Sequence, residues 1–423
     1  VSTEDKLAAP VQPKKTRFPG GRFGLSVFGF AAVNAAIVAS VVASSGTMPG
    51  GSISEDVLSN NLKQSPSFGT WSWWAAHAYF GEKKAPDVVM MGSSLVNSAC
   101  WSADATTTYK DIDCALHHRV HTMEKLLKER LPGEEPTVLN VSVQGAGACD
   151  YYMMTRGLME GARKPKVLVV GIAPRDFIDN KIHNLGDTEP FMFHQRYVEF
   201  DETVAKAYSD PFARAMGELE WKIGRLPLRR LHAGVASYFT DGTGAEGTRR
   251  KEAGDELRHA LSASSQRIFP GDLVVPKVLQ DAFFDNTAEY ASRYKNPHPK
   301  QFTTQLFFFE EMLKRMKAQN IHVLVVDMPT LKRNRDMLPP AFWSNYKLRI
   351  KELCARQNAD YLYLSDSPDF VQRDFVDNVH VSYRGATKVL EKIAAEIAGN
   401  PALASAMEGK EQMISAKKSS SID

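Results

Sequence analysis

Hydrophobic positions in this chain come in short unbroken runs that stop at glycine or small polar residues. Val88-Val89-Met90-Met91 stops at Gly92-Ser93-Ser94, Thr137 to Val143 at Gln144-Gly145-Ala146-Gly147, and Lys166 to Ile172 at Ala173-Pro174-Arg175-Asp176-Phe177. Such runs read as strands buried on both faces. Helical spacing is found at about Ala115 to Leu131 and Asp150 to Ala162, whereas the segment after Ser94, with Asn97, Cys100, Trp101 and Asp111, reads as a linker. The alternation resumes with a helix from about Thr303 to Lys317, a strand from Val323 to Met328, a helix from about Pro340 to Gln357 and a short strand from Tyr361 to Leu364. A loop from Phe375 to His380 leads into a last helix, Tyr383 to Ile397. Strands alternating with helices predict an α/β class domain, a doubly wound parallel sheet with right-handed crossovers. Ligands bind such sheets at the carboxyl ends of the strands.

The alternation is interrupted between residues 184 and 299, where helical patterns (Pro211 to Gly224, Leu226 to Tyr238) surround a Gly-rich stretch, Asp241 to Gly247. That stretch lacks the GKS/T ending of a phosphate loop and reads as a turn. An insertion at the functional edge of a sheet reads as a helical lid subdomain.

At the amino end, residues 1–22 form a polar tail with Lys14, Lys15, Arg17 and Arg22, and residues 23–45 carry no charge. A helix of about 23 residues would be about 34 Å long and could cross a hydrocarbon core of about 30 Å. A retained transmembrane helix is favoured over a cleaved signal, whose apolar region is only about 7–15 residues long. It is also favoured over a buried globular helix, which would carry more Leu and less Ala, Gly and Ser. The basic residues precede the span and Glu55-Asp56 follow it, so the tail is expected to be cytoplasmic and the main domain extracytoplasmic, periplasmic or at the cell surface. In the juxtamembrane segment, 46–85, the aromatics Trp71, Trp73, Trp74, Tyr79 and Phe80 are open to two readings, a membrane-interface belt or core at the first sheet edge. The expected domain spans 86–400, with a tail over 401–423.

With 43% hydrophobic and 24% charged residues the chain is globular, and a net charge of +3 without a basic aromatic stripe gives no reason to expect nucleic acid. The four cysteines, Cys100, Cys114, Cys149 and Cys354, have no zinc spacing. His117 and His121 stand four apart, but no acidic residue completes a metal motif, so they read as a solvated face. No metal and no cofactor are expected.

A serine hydroxyl needs a neighbouring base to become a nucleophile, and a carboxylate commonly orients that base. Ser94 lies at the end of the first strand, and Asp377 and His380, three apart on a loop entering a helix, supply a carboxylate and an imidazole. Here the chain resembles the SGNH or GDSL hydrolases over about residues 86–400. Gly92-Ser93-Ser94-Leu95 is similar to the GDSL block with Ser in place of Asp, Gly145 to the glycine of the second block, and Asp377-Asn378-Val379-His380 to the DxxH block. The resemblance implies a flavodoxin-like SGNH fold with Ser94 as nucleophile, His380 as base, Asp377 as orienter and the Gly145 amide in the oxyanion site. The third block departs from the family's GxND: here it reads Gly171-Ile172-Ala173-Pro174-Arg175-Asp176, with Arg175 or Asn180 as substitute donors.

An amino-terminal span before such a domain is similar to the membrane-anchored SGNH proteins that accompany teichoic acid D-alanylation or exopolysaccharide O-acetylation. The resemblance implies a serine acyltransferase or esterase acting on O-acyl groups of cell-surface polysaccharide. It also implies the lipid bilayer and a membrane-bound O-acyltransferase as partners. The alternative is a catalytically inactive SGNH-like binding or structural subunit of a membrane assembly. An exported location would permit a disulfide, with Cys100 to Cys114 preferred, although spacing alone leaves connectivity open.

Overall fold

The computed structural model describes residues 69–133, 135–182, 184–209, 211–224, 268–277, 282–295 and 299–408. The expected cytoplasmic tail, transmembrane helix, Gly-rich loop and last residues lie outside that range. Among the described residues no helix is long and apolar enough to cross a membrane.

In chain order the elements are α1 (Trp71–Gly81), β1 (Val88–Met91), α2 (Ser94–Thr108), β2 (Ile112–Asp113), α3 (His121–Arg130), β3 (Val138–Asn140), α4 (Ala148–Met159), β4 (Val167–Ile172) and α5 (Arg175–Ile178). The described parts of the insertion hold α6 (Glu189–Gln195), α7 (Glu202–Ala205), α8 (Pro211–Gly224), β5 (Val274–Val275) and α9 (Thr287–Tyr294). There follow α10 (Pro299–Ala318), β6 (His322–Asp327), α11 (Lys332–Arg335), α12 (Pro340–Gln357), β7 (Asp360–Tyr363), α13 (Tyr383–Gly399) and α14 (Pro401–Met407).

Five strands form one parallel sheet in the order β3-β1-β4-β6-β7. Every residue of β1 and β4 is buried, as an apolar run requires when helices cover both faces. The helices fall into two packing groups, α2, α3 and α13 in one and α4, α5, α6, α10 and α12 in the other. In α13, Ala386, Val389, Leu390, Ile393, Ala394 and Ile397 are buried at helical spacing. A fully buried aliphatic side chain of this kind contributes about 1.5–3 kcal/mol, so the stripe anchors the loop carrying His380. The strand order reverses at β1, which opens a crevice at its carboxyl end.

Several expectations are corrected. The segment after Ser94 is not a linker but the fifteen-residue helix α2, with Leu95, Val96, Ala99, Cys100 and Ala103 buried along one side. Its Ser, Thr and Ala content masks that stripe in the sequence. The third helix starts at His121, later than its spacing suggests, because buried Asp104 of α2 accepts the His121 and Thr122 amide N–H groups and sets the first turn there. The second strand, Val138 to Asn140, is shorter than its apolar run, although Val141 and Val143 still donate to the Met90 and Gly92 carbonyls at 2.9 and 3.0 Å; on the edge side the Asn140 side chain accepts the Ser142 N–H at 3.0 Å. At the carboxyl end, α14 belongs to the body: Leu403 is fully buried and Lys166 Nζ bonds the Met407 carbonyl at 2.9 Å.

The amino-terminal aromatics follow the core reading. Trp74 is buried and donates its indole N–H to the Ile268 carbonyl at 3.1 Å, and Trp71 stands 5.9 Å from Trp101. Helix α1 is thus part of the body, which begins before residue 86. The described ends of the insertion are fastened to it as well: Ser72 Oγ donates to Glu189 at 2.7 Å, and β5 pairs antiparallel with β2. All four cysteines are free and buried. The preferred Cys100–Cys114 bridge is absent because Cys100 packs in the main core while Cys114 packs in a separate cluster with Trp101, Ala105 and Ile112.

Asp327, at the end of β6, is completely buried and holds one hydrogen bond, from the Tyr361 hydroxyl at 3.0 Å. Burial pushes its carboxyl up to about 8, against the smaller opposing effects of Tyr361 and Lys347. Between the ordinary carboxylate value and pH 8, the folded protein keeps a proton that the unfolded chain has lost. Stability therefore falls as pH rises through that window, by up to about 1.4 kcal/mol per pH unit for one such group. Urea unfolding of Asp327→Asn at pH 5 and pH 8 is expected to show a shallower loss than the parent. Parallel pH dependences would count against an elevated Asp327.

Candidate active site

The carboxyl end of β1 is shaped by a close approach. A Cβ at Gly92 would stand 2.4 Å from Val96 Cγ2 and 2.8 Å from the Gly171 carbonyl oxygen, so only glycine lets α2 start directly above β1 and β4. Ser93 is the cap residue in extended conformation, and Ser94 is the first residue of α2. The first amides of a helix have no intrahelical acceptor. Neither the Ser94 nor the Gly145 N–H is engaged in a hydrogen bond among the described residues. One turn along, fully buried Asn97 donates to the Ser142 carbonyl at 3.3 Å and accepts from Asn140 Nδ2 at 2.8 Å, which ties α2 to the end of β3.

Ser94 Oγ lies 2.8 Å from His380 Nε2, and His380 Nδ1 lies 2.6 Å from Asp377 Oδ2. The other Asp377 oxygen accepts the Val379 and His380 amide N–H groups at 2.8 and 2.7 Å. Burial alone would raise the Asp377 carboxyl, but bonds and charge from the His380 ring and these two amides outweigh it and hold it below the usual carboxylate value. The aspartate is thus ionised and bonded on both oxygens, which fixes the imidazole with Nε2 toward the serine. The loop is held from the insertion side: Asn286 Oδ1 accepts the Asn378 N–H at 3.1 Å, and Asn378 Nδ2 donates to Thr287 at 2.9 Å.

Gly145 follows β3 with φ +77°, a left-handed conformation that favours glycine even though a Cβ would meet nothing within 4 Å. Arg175, at the start of α5, turns its guanidinium to the back of this turn. Nη1 donates to the Gly145 carbonyl at 3.0 Å, and Nη2 to the Gly145 and Ala146 carbonyls at 2.5 and 3.0 Å. Its N–H groups thus meet carbonyls of the turn, while Asp176 and Asp179 face its charge at 3.4 and 3.9 Å. Asn180 lies elsewhere. It lines a cavity of about 350 Å³ with Ile182, Lys206, Gln301 and Thr304, and neither Ser94, His380 nor Gly145 faces that space.

Beneath the crevice lies a layer of buried polar groups that the sequence did not single out. Tyr151 donates to Asp176 Oδ2 at 2.9 Å, and the same oxygen accepts the Ala173 N–H at 2.9 Å. Burial raises the Asp176 carboxyl to about 6 against the opposing Arg175 charge, and raises Asp150 to about 7 against bonds from Thr188 and Gly147. Nothing in spacing marks these residues, because a buried Asn, Tyr or Asp in a helix looks like any surface residue until the fold is known. His117 bonds buried Asp104 at 2.7 Å and His121 bonds Glu124 at 3.0 Å. Among the described residues no group of three His, Cys, Asp or Glu is placed to hold a metal ion.

The sequence matches no family model and no curated protein.

The His380–Asp377 contact can be tested without any substrate. Proton NMR of the protein is expected to show a strongly downfield imidazole N–H signal that is lost in Asp377→Asn, where a neutral amide replaces the carboxylate. A signal that survives the substitution would mean that the proton is not held between these two residues.

Proposed function

We propose that this protein is a serine acyltransferase or esterase of the SGNH type, anchored at a membrane and acting outside the cytoplasm on O-acyl groups of cell-surface polysaccharide. The observation that carries the reaction type is the unbroken line from Ser94 Oγ through the His380 ring to Asp377, with contacts of 2.8 and 2.6 Å. Hydrogen-bond reach of about 2.6–3.2 Å between nucleophile and base, with the base oriented by a third group, is the arrangement nucleophilic catalysis needs. Strand order β3-β1-β4-β6-β7, equivalent to 2-1-3-4-5 within this sheet, agrees with a flavodoxin-like topology, in which the crevice lies at the end of β1.

In the first half-reaction His380 Nε2 takes the Ser94 proton as Oγ attacks the ester carbonyl. The oxyanion that forms is met by the Ser94 and Gly145 amides, whose N–H groups are otherwise unused. His380 passes the proton to the departing alcohol, leaving an acyl-serine. A sugar hydroxyl or water then gives its proton to His380 and attacks the acyl group, and the returning proton restores Ser94. Asp377 keeps its negative charge throughout and stabilises the imidazolium. The acceptor class, the membrane setting and a membrane-bound O-acyltransferase partner rest on the architecture implied by the sequence. A purely structural role is disfavoured by the triad, since a lapsed site has no need for both Asp377 oxygens to be bonded and the imidazole aimed at a hydroxyl.

Ser94→Ala is expected to lower hydrolysis of p-nitrophenyl acetate by at least about 10³-fold and to abolish labelling by a fluorophosphonate, with an unchanged melting temperature. Cells carrying only this variant are expected to lose the O-acyl groups of their surface glycan. Undiminished labelling or acylation would refute the serine mechanism.

A further inference from the structure

The third strand end has no side-chain amide where an oxyanion donor would be expected, and its arginine is spent on the carbonyls of the turn after β3. In the sheet order β3-β1-β4, Arg175 leaves the end of β4 and reaches the turn after β3, so its side chain spans the strand whose end carries Ser94. We propose that Arg175 is a positioning residue that holds the Gly145 amide in register with Ser94 by gripping the carbonyl side of the Gly145–Ala146 turn. This inference rests on the serine mechanism proposed above.

Three features support it. The guanidinium fork is rigid and planar, so three N–H···O contacts to two successive carbonyls fix the orientation of the turn as well as its distance. The turn needs such a hold because Gly145 has no side chain to pack and occupies a left-handed conformation. Its other ties lie at its edges, Ala146 N–H to the Val143 carbonyl at 3.1 Å and Gly147 N–H to Asp150 at 2.7 Å. Finally, the arginine is itself held. It is buried, faces Asp176 and Asp179, and Asp179 is paired in turn with Arg293 of α9. A buried guanidinium is tolerable only when it is paired in this way. Substituting an ordinary neutral residue would leave two buried carboxylates facing a vacated space and the turn without its central support.

A donor that is displaced should weaken stabilisation of the transition state and leave ground-state binding nearly intact. The test uses the full chain, p-nitrophenyl acetate as substrate and phenylboronic acid as a probe that becomes tetrahedral on a serine. Arg175→Met is expected to lower kcat about 10²-fold with KM within about threefold, and to weaken phenylboronate inhibition at least tenfold. Arg175→Lys, which can bond a carbonyl but cannot bridge two in one plane, is expected to recover part of kcat. If Arg175→Met does not fold, Arg175→Gln, which keeps a single polar donor in place of the fork, serves in its place, and the same loss confined to kcat is expected. Wild-type kcat in either variant, or a loss confined to KM, would overturn the role of Arg175. Retention of ester hydrolysis by Ser94→Ala would instead overturn the serine mechanism, whatever the arginine variants do.

Discussion

The Val96 side chain occupies the space that side chains at Gly92 and Gly171 would need. A Cβ on either glycine would come within 2.4 or 2.2 Å of Val96 Cγ2, respectively. That contact seats the first turn of α2 on the ends of two adjacent parallel strands, and the position of Ser94 follows from it. Close packing in a protein interior leaves no slack for a methyl group at such a place. The serine is therefore presented by rigid elements: a buried strand below, a helix behind, and Asn97 bonded across to the end of β3.

Around that seat the charges are arranged in two different ways. Asp377 is buried yet kept ionised, because both its oxygens accept hydrogen bonds and one faces an imidazole. Asp176, Asp150 and Asp327 lie deeper, and burial dominates their protonation. The contrast follows the number of donors turned toward each carboxylate and the charge beside it, since desolvation acts on all of them in the same sense. One carboxylate is thus available to stabilise a cation at the crevice, and the others serve as acceptors in the layer that supports the strand ends.

The insertion contributes more to this layer than its interruption of the α/β alternation suggests. At the start of α9 the cap residue Asn286 and Thr287 bond Asn378, next to Asp377, and Arg293 of the same helix pairs with Asp179, so the loop of His380 and the neighbour of Arg175 are held by one short element. Glu189 and β5 fasten other parts of the insertion to α1 and β2. A segment stitched in at these points is structural support for the crevice.

Much of the architecture was legible in the chain because buried parallel strands leave an unmistakable trace: Val88 to Met91, Val167 to Ile172 and Val323 to Val326 carry no polar side chain before they reach the edge. Ser94 was visible as a hydroxyl placed just where the first of those runs ends, and Asp377 and His380 by their spacing of three on a loop entering a helix. Helix α2 was hidden, since Ser, Thr, Asn and Asp are interspersed with its buried Leu95, Val96, Ala99, Cys100 and Ala103 and resemble a loop. Local sequence also marked a turn at Gly145, where φ +77° is a conformation that glycine adopts without the cost a Cβ would bring. Which carbonyls Arg175 bonds, which carboxylates burial raises and that the four cysteines stay apart were decided only by the tertiary structure. Those properties depend on neighbours that are distant in the chain, and spacing carries no record of them.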